Sequence, residues 1–106
     1  PFVICMHGNH KLDLKKISQS GAVQVGHKVR LCPQERASGF TGYRFGGTSP
    51  FGLVQPMRIF VAQTISEIPP KEKIWVNGGS GVLVVSMTCE DFLNVLKPTF
   101  IEASQK

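Results

Sequence analysis

The sequence runs to 106 residues, enough for one hydrophobic core and too few for two. With 42% hydrophobic and 18% charged residues it is globular rather than disordered, and no apolar run approaches the roughly 20 residues a membrane-spanning helix needs. The net charge of +5 is uneven: residues 1–53 carry seven basic and two acidic side chains, and residues 54–106 carry five of each. Such asymmetry fits either a solvated basic face or a surface that meets a polyanion such as nucleic acid.

Pro1 leads at once into the apolar run Phe2-Val3-Ile4-Cys5-Met6, with no initiator Met, no basic leader and no cleavage site. A chain that opens inside a strand is expected to be part of a longer protein. Phe2–His7 reads as a strand, and Gly8-Asn9 as the turn after it. Asp13 caps a helix to Ser20, with Leu14 and Ile17 on one face and Gly21 closing it. Val23 and Val25 alternate with Gln24 and Gly26 as a brief edge strand. Pro33 opens a short helix to Ser38 that ends at Gly39. Thr41 to Gly52 is a long glycine-rich loop, followed by a strand over Met57–Thr64 that cannot extend through Pro69-Pro70. Ile74–Asn77 and Val82–Met87 are predicted strands, joined by a hairpin turn over Asn77-Gly78-Gly79-Ser80-Gly81. Thr88-Cys89-Glu90-Asp91 resembles a capping box with Asp in the last place. It starts a helix over Glu90–Leu96 that Pro98 ends. The predicted fold class is α/β of the α+β type: one domain over residues 1–106, with a mixed, mostly antiparallel sheet and short flanking helices.

Cys5, Cys32 and Cys89 are odd in number, far apart and without a C-x-x-C pair, while His7 and His10 have no matching thiolates. This spacing favours free, mostly buried core thiols in a reducing compartment over a metal site or a disulfide framework. No cofactor is expected. Neither G-x-x-x-x-G-K-[ST] nor G-x-G-x-x-G occurs, and G-x-S-x-G is absent. Glu90 and Asp91 are accounted for by helix capping.

What remains is the loop Thr41-Gly42-Tyr43-Arg44-Phe45-Gly46-Gly47-Thr48-Ser49-Pro50-Phe51-Gly52. Four glycines so close together suit a backbone that must approach another group closely, or N–H groups aimed at a ligand. An irregular connector is the plainer alternative.

The pattern Thr41-Gly42-Tyr43-x-x-Gly46-Gly47-x-Ser49-Pro50-x-Gly52 resembles the signature loop of the YbaK/ProX family of aminoacyl-tRNA deacylases, which also occur as editing domains within prolyl-tRNA synthetases. Leu12-Asp13-Leu14-Lys15-Lys16 resembles the family's first helix after the opening strands. Lys73-Ile74-Trp75-Val76-Asn77-Gly78-Gly79, followed by an apolar strand and Glu90-Asp91-Phe92-Leu93, resembles its C-terminal half. The likeness spans Phe2 to about Leu96 and is nearest the Cys-tRNA(Pro) deacylase branch.

The resemblance implies hydrolysis in trans of a wrong amino acid from tRNA, most naturally Cys- or another small-residue tRNA(Pro), in the cytoplasm and without a metal. Gly46 and Gly47 would be catalytic, through backbone amides at the ester carbonyl. Thr41, Gly42, Thr48, Ser49, Pro50, Gly52, Asn77, Gly78 and Gly79 would line the substrate pocket. The basic first half, with Lys11, Lys15, Lys16, Lys28, Arg30, Arg36 and Arg44, would meet phosphates near the acceptor end. The implied partners are tRNA and prolyl-tRNA synthetase, not a membrane. There are two departures from the family. Its N-terminal helix and lysine-bearing strand have no counterpart here, so the 106 residues alone are expected to be nearly inactive and to self-associate through an open edge at Phe2–Met6. Val84 stands where some members carry an acid. A catalytically inactive tRNA- or protein-binding module of the same fold is the alternative. An unrelated α/β domain with its own ligand pocket is the third reading.

Overall fold

A computed structural model describes residues 2–19, 29–44, 47–80 and 82–105. Its centre is β3 (Arg58–Ala62), whose run Ile59-Phe60-Val61-Ala62 is apolar on both faces. A strand apolar on both sides belongs in the middle of a covered parallel sheet, and Phe60, Val61 and Ala62 are fully buried. β3 pairs in parallel with β1 (Phe2–Cys5) on one side and β6 (Thr99–Ile101) on the other.

Two helical layers cover that sheet. On one face, Ile17 of α1 (Leu14–Gln19) packs on Phe60, Ile101 and Ala103. On the other, Phe92 and Cys89 of α3 (Cys89–Leu96) pack on Val61 and Ile65, the latter in the 3-10 turn Gln63–Glu67. Ile74 and Val76 of β4 (Lys73–Ser80) and Met87 of β5 (Leu83–Thr88) close the second cluster. β4 and β5 form an antiparallel hairpin, and β2 (Lys11–Leu12) pairs with β7 (Ser104–Gln105) in a second antiparallel pair. Among the described residues no helix is long and apolar enough to cross a membrane.

The mixed α/β class stands, but the single, mostly antiparallel sheet does not. The four predicted strands that fall within the described residues divide between a parallel three-stranded sheet and a separate hairpin. Periodicity shows which residues are extended, whereas partner and direction depend on contacts distant in sequence. β2, β6 and β7 are two or three residues long and carry too little pattern to be read from sequence. Among the described residues β1 stands at one side of this sheet. Its side chains are nonetheless half-buried, and Phe2 meets Phe60 edge-on at 5.4 Å.

The helix starts behave as their sequences dictate. Thr88 caps α3 by accepting the Asp91 N–H at 3.2 Å, and Asp13 accepts the Lys16 N–H at the start of α1. α2 (Gln34–Thr41) follows Pro33 but runs through Gly39 and ends at Gly42, which takes the left-handed conformation at φ 82°. Gly39 sits inside the helix at a cost of up to ~1 kcal/mol relative to alanine, and Gly42 supplies the ending. The predicted edge strand at Val23–Val25 and the helix end at Ser20–Gly21 lie outside the described residues.

Candidate functional site

The glycine-rich loop starts where α2 stops. Thr41 is buried; its hydroxyl donates to the Ala37 carbonyl at 2.9 Å and accepts the Tyr43 N–H at 3.1 Å. A Cβ on Gly42 would collide with Val54, which returns over the helix end through bonds from Val54 N–H to Thr41 and from Gln55 N–H to Phe40. Ser49 is also buried, and its hydroxyl accepts the Phe51 N–H at 3.2 Å. Both hydroxyls shape the loop.

The middle of the loop is pressed onto β4. A Cβ at Gly47 would stand 2.7 Å from the Ser80 Cα, so only glycine fits. The Gly47 carbonyl accepts the Gly79 N–H at 3.1 Å. This approach requires a break in the hairpin. Asn77 pairs with Val84 and Ser80 with Leu83, which leaves Gly78 and Gly79 as an irregularity inside β4. Gly79 sits at φ 106° with the Tyr43 ring beside it. The predicted turn over residues 77–81 is therefore displaced: β4 continues to Ser80, and Gly78-Gly79 form a bulge rather than the turn. Asn-Gly-Gly carries the same local signal for both, and the docking of the loop selects the bulge.

Tyr43 joins these pieces, although its sequence context offers no sign of it beyond its place in the loop. Its ring flanks Gly79, and its hydroxyl donates to the Phe51 carbonyl next to Gly52, itself at φ 67°. Tyr43 and Thr48 also line a cavity of about 480 Å³ with Cys32, Pro33, Ala37 and Ser38. Asn77 is not among its walls. It lies exposed on the outer face of β4, opposite Val84.

Of the two glycines expected to present free amides, Gly46 lies outside the described residues. Gly47 does not present one, because its N–H donates to the Arg44 carbonyl at 3.0 Å. The reason is local: the acceptor lies only three residues back in the chain. Pro50 and Gly52 complete the far side of the loop. The basic residues Lys11, Lys15, Lys16, Arg30, Arg36 and Arg44 are all exposed, with the Lys16 ammonium on the Ser104 carbonyl at 3.0 Å; Lys28 lies outside the described residues.

The thiols divide by environment. All three are free, with Cys89 buried and Cys5 half-buried, but Cys32 is exposed at the cavity wall, against the expectation of mostly buried thiols. Burial pushes the Cys5 thiol up to about 11 and also raises that of Cys89.

A model of the aminoacyl-tRNA editing domain family matches residues 1–95. A protein of Enterococcus faecalis (strain ATCC 700802 / V583), named as a candidate Cys-tRNA(Pro)/Cys-tRNA(Cys) deacylase, EbsC, is 27% identical over 106 residues, which cover 100% of this chain and 61% of that protein. Among solved structures, a candidate trans-editing enzyme for prolyl-tRNA synthetase superposes with a TM-score of 0.82 at 21% identity, over 99% of this chain and 62% of its own. A scaffold protein from computational epitope grafting gives the same TM-score at 19% identity, over 99% and 63%. The chain thus spans about three fifths of the length of these proteins. At such identities the solved structures establish a common fold. With the family model covering nearly the whole sequence and the glycine loop seated on its hairpin, this chain belongs to the aminoacyl-tRNA editing domain family.

Proposed function

We propose that the domain hydrolyses the aminoacyl ester of misacylated tRNA in trans, with Cys-tRNA(Pro) or another small-residue tRNA(Pro) as substrate. The observation that carries this reading is the seating of the loop, in which Gly47 lies against Ser80 and is bonded to Gly79. A loop seated this closely on a strand suits a site built from backbone amides, as stabilisation of an oxyanion requires. In this reading Gly46 offers the amide to the ester carbonyl. Gly47 fixes its direction, and Thr48, Ser49 and Pro50 shape the pocket with Thr41, Gly42 and Gly52. Gly78 and Gly79 form the opposite wall, with Asn77 next to them on the outer face of β4. The test is deacylation of Cys-, Ala- and Ser-tRNA(Pro) by the full-length protein. Release of at least one amino acid is expected, and hydrolysis of none would overturn the proposal.

One observation favours the second reading, a binding module that has lost activity. Val84, the position at which the family resemblance implies an acid in some members, lies directly across from Asn77. If the protein binds tRNA without hydrolysing it and Val84→Asp restores hydrolysis, the module reading replaces the enzyme.

A further inference from the structure

β4 divides its side chains between two faces. Ile74 and Val76 turn into the core with Phe92. The alternate residues Lys73, Trp75 and Asn77 share the outer face, with Thr88, Ser86 and Val84 directly opposite on β5. Trp75, the one tryptophan in the sequence, is 65% exposed there. An indole offers roughly 150–250 Å² for burial, so this position calls for a partner.

The neighbours of Trp75 define the chemistry of that partner. Lys73 and Asn77 flank Trp75 along β4, Ser86 stands directly opposite, and Thr88 and Val84 hold the diagonal positions, so an ammonium, a carboxamide and two hydroxyls share the face with one exposed valine. An apolar protein surface would strip these groups of water without replacing their hydrogen bonds. An unpaired nucleotide satisfies all of them: its base stacks on the indole, its phosphate meets the ammonium, and its sugar and base edge meet the amide and hydroxyl. Side chains two apart on a strand stand about 7 Å from each other, within the reach of a single nucleotide. The surplus of five positive charges in residues 1–53 draws a polyanion to the molecule, while the balanced second half leaves recognition at this face to stacking.

We propose that Trp75 is a stacking platform for an unpaired base at the 3′ end of RNA, with Lys73 on the neighbouring phosphate. The proposal rests on the tRNA reading above, since the ester to be cleaved sits on an unpaired 3′ nucleotide. Its position agrees with that reading. Asn77 continues the same face, and two residues further along β4 Gly79 holds the glycine loop.

Trp75 serves as its own reporter. The full-length protein is titrated with a hairpin RNA ending in unpaired CCA and with the same hairpin cut blunt. The emission difference between wild type and Trp75→Phe isolates this indole. Quenching by the CCA-ended hairpin alone is expected. Trp75→Ala should weaken its binding by about 5- to 150-fold, the range of one stacked base, and Trp75→Phe should keep most of the affinity. Both variants should retain the wild-type circular dichroism, because the side chain is exposed. Hydrolysis of misacylated tRNA by the wild type, with no quenching and no loss of affinity in Trp75→Ala, overturns the platform and leaves the deacylase reading intact. Absence of both hydrolysis and RNA binding overturns both. Emission that shifts with protein concentration and ignores RNA makes the face a contact between copies, and the platform fails.

Discussion

The N–H of Gly79 donates to the carbonyl of Gly47 at 3.1 Å, and this one bond ties the glycine-rich loop to the bulged strand of the hairpin. Neither partner tolerates a side chain. Gly47 faces the Ser80 backbone, and Gly79 holds a left-handed φ of 106° beside Tyr43. The loop and the hairpin therefore constitute one unit, and changes to either should be felt at both.

Gly47→Ala tests this unit. The new methyl would meet Ser80 backbone atoms at 2.7–2.9 Å, and backbone within a strand cannot step aside. Overpacking of this kind costs about 1–3 kcal/mol, and deacylation should fall with it because the loop must lift. Gly39→Ala is the matched control. It adds a methyl to α2 with nothing within 4 Å and should be neutral or stabilising by up to ~1 kcal/mol. Urea unfolding of the two variants should separate them; equal stabilities would refute the close packing of Gly47.

The cap of α3 offers a second, purely local test. Thr88→Ala removes the acceptor for the Asp91 N–H and should lower stability by about 1 kcal/mol. Thr88→Ser keeps the hydroxyl and should recover most of that loss. Thermal unfolding of the pair decides it, and an unchanged midpoint in Thr88→Ala would remove the cap from the account.

Thiol reactivity should follow environment. At pH 8 a limiting alkylating reagent should label Cys32 first, because Cys5 and Cys89 are held protonated by burial and Cys89 is fully enclosed. Peptide mapping by mass spectrometry reads the order, and labelling of Cys89 ahead of Cys32 would contradict the fold around α3. The same burial has a consequence for pH. The unfolded chain releases the Cys5 proton near 9.0 and the folded chain near 11. The unfolded state therefore gains first as pH rises, and the contribution of this group is full below pH 9 and lost progressively between 9 and about 11. Cys5→Ser should flatten that alkaline decline in a denaturation series.

Salt and charge reversal address the basic half. RNA affinity should fall with salt by about 0.7 log units per log unit of salt for each phosphate contact on a single strand. The double reversal Lys15→Glu with Arg44→Glu should weaken binding far more than Lys71→Glu, since Lys71 is exposed and already paired with Glu90 at 2.9 Å. Equal effects measured by anisotropy would mark the charge asymmetry as a solvated face.

The sequence by itself determined whatever depends on neighbours in the chain. Asp13 and Thr88 cap helices because a short acceptor reaches an N–H three residues on. Ile59 to Ala62 form a strand because apolar β-branched and aromatic residues stand between breaks, and the loop motif placed the chain in its family. Tertiary structure alone decided the rest. It made the central sheet parallel, turned Gly78-Gly79 from a hairpin turn into a bulge, exposed Cys32 and set Tyr43 against Gly79. Each of these outcomes depends on which distant segment arrives at a given backbone. A glycine permits a left-handed turn and a close approach equally, and only the arriving partner selects between them.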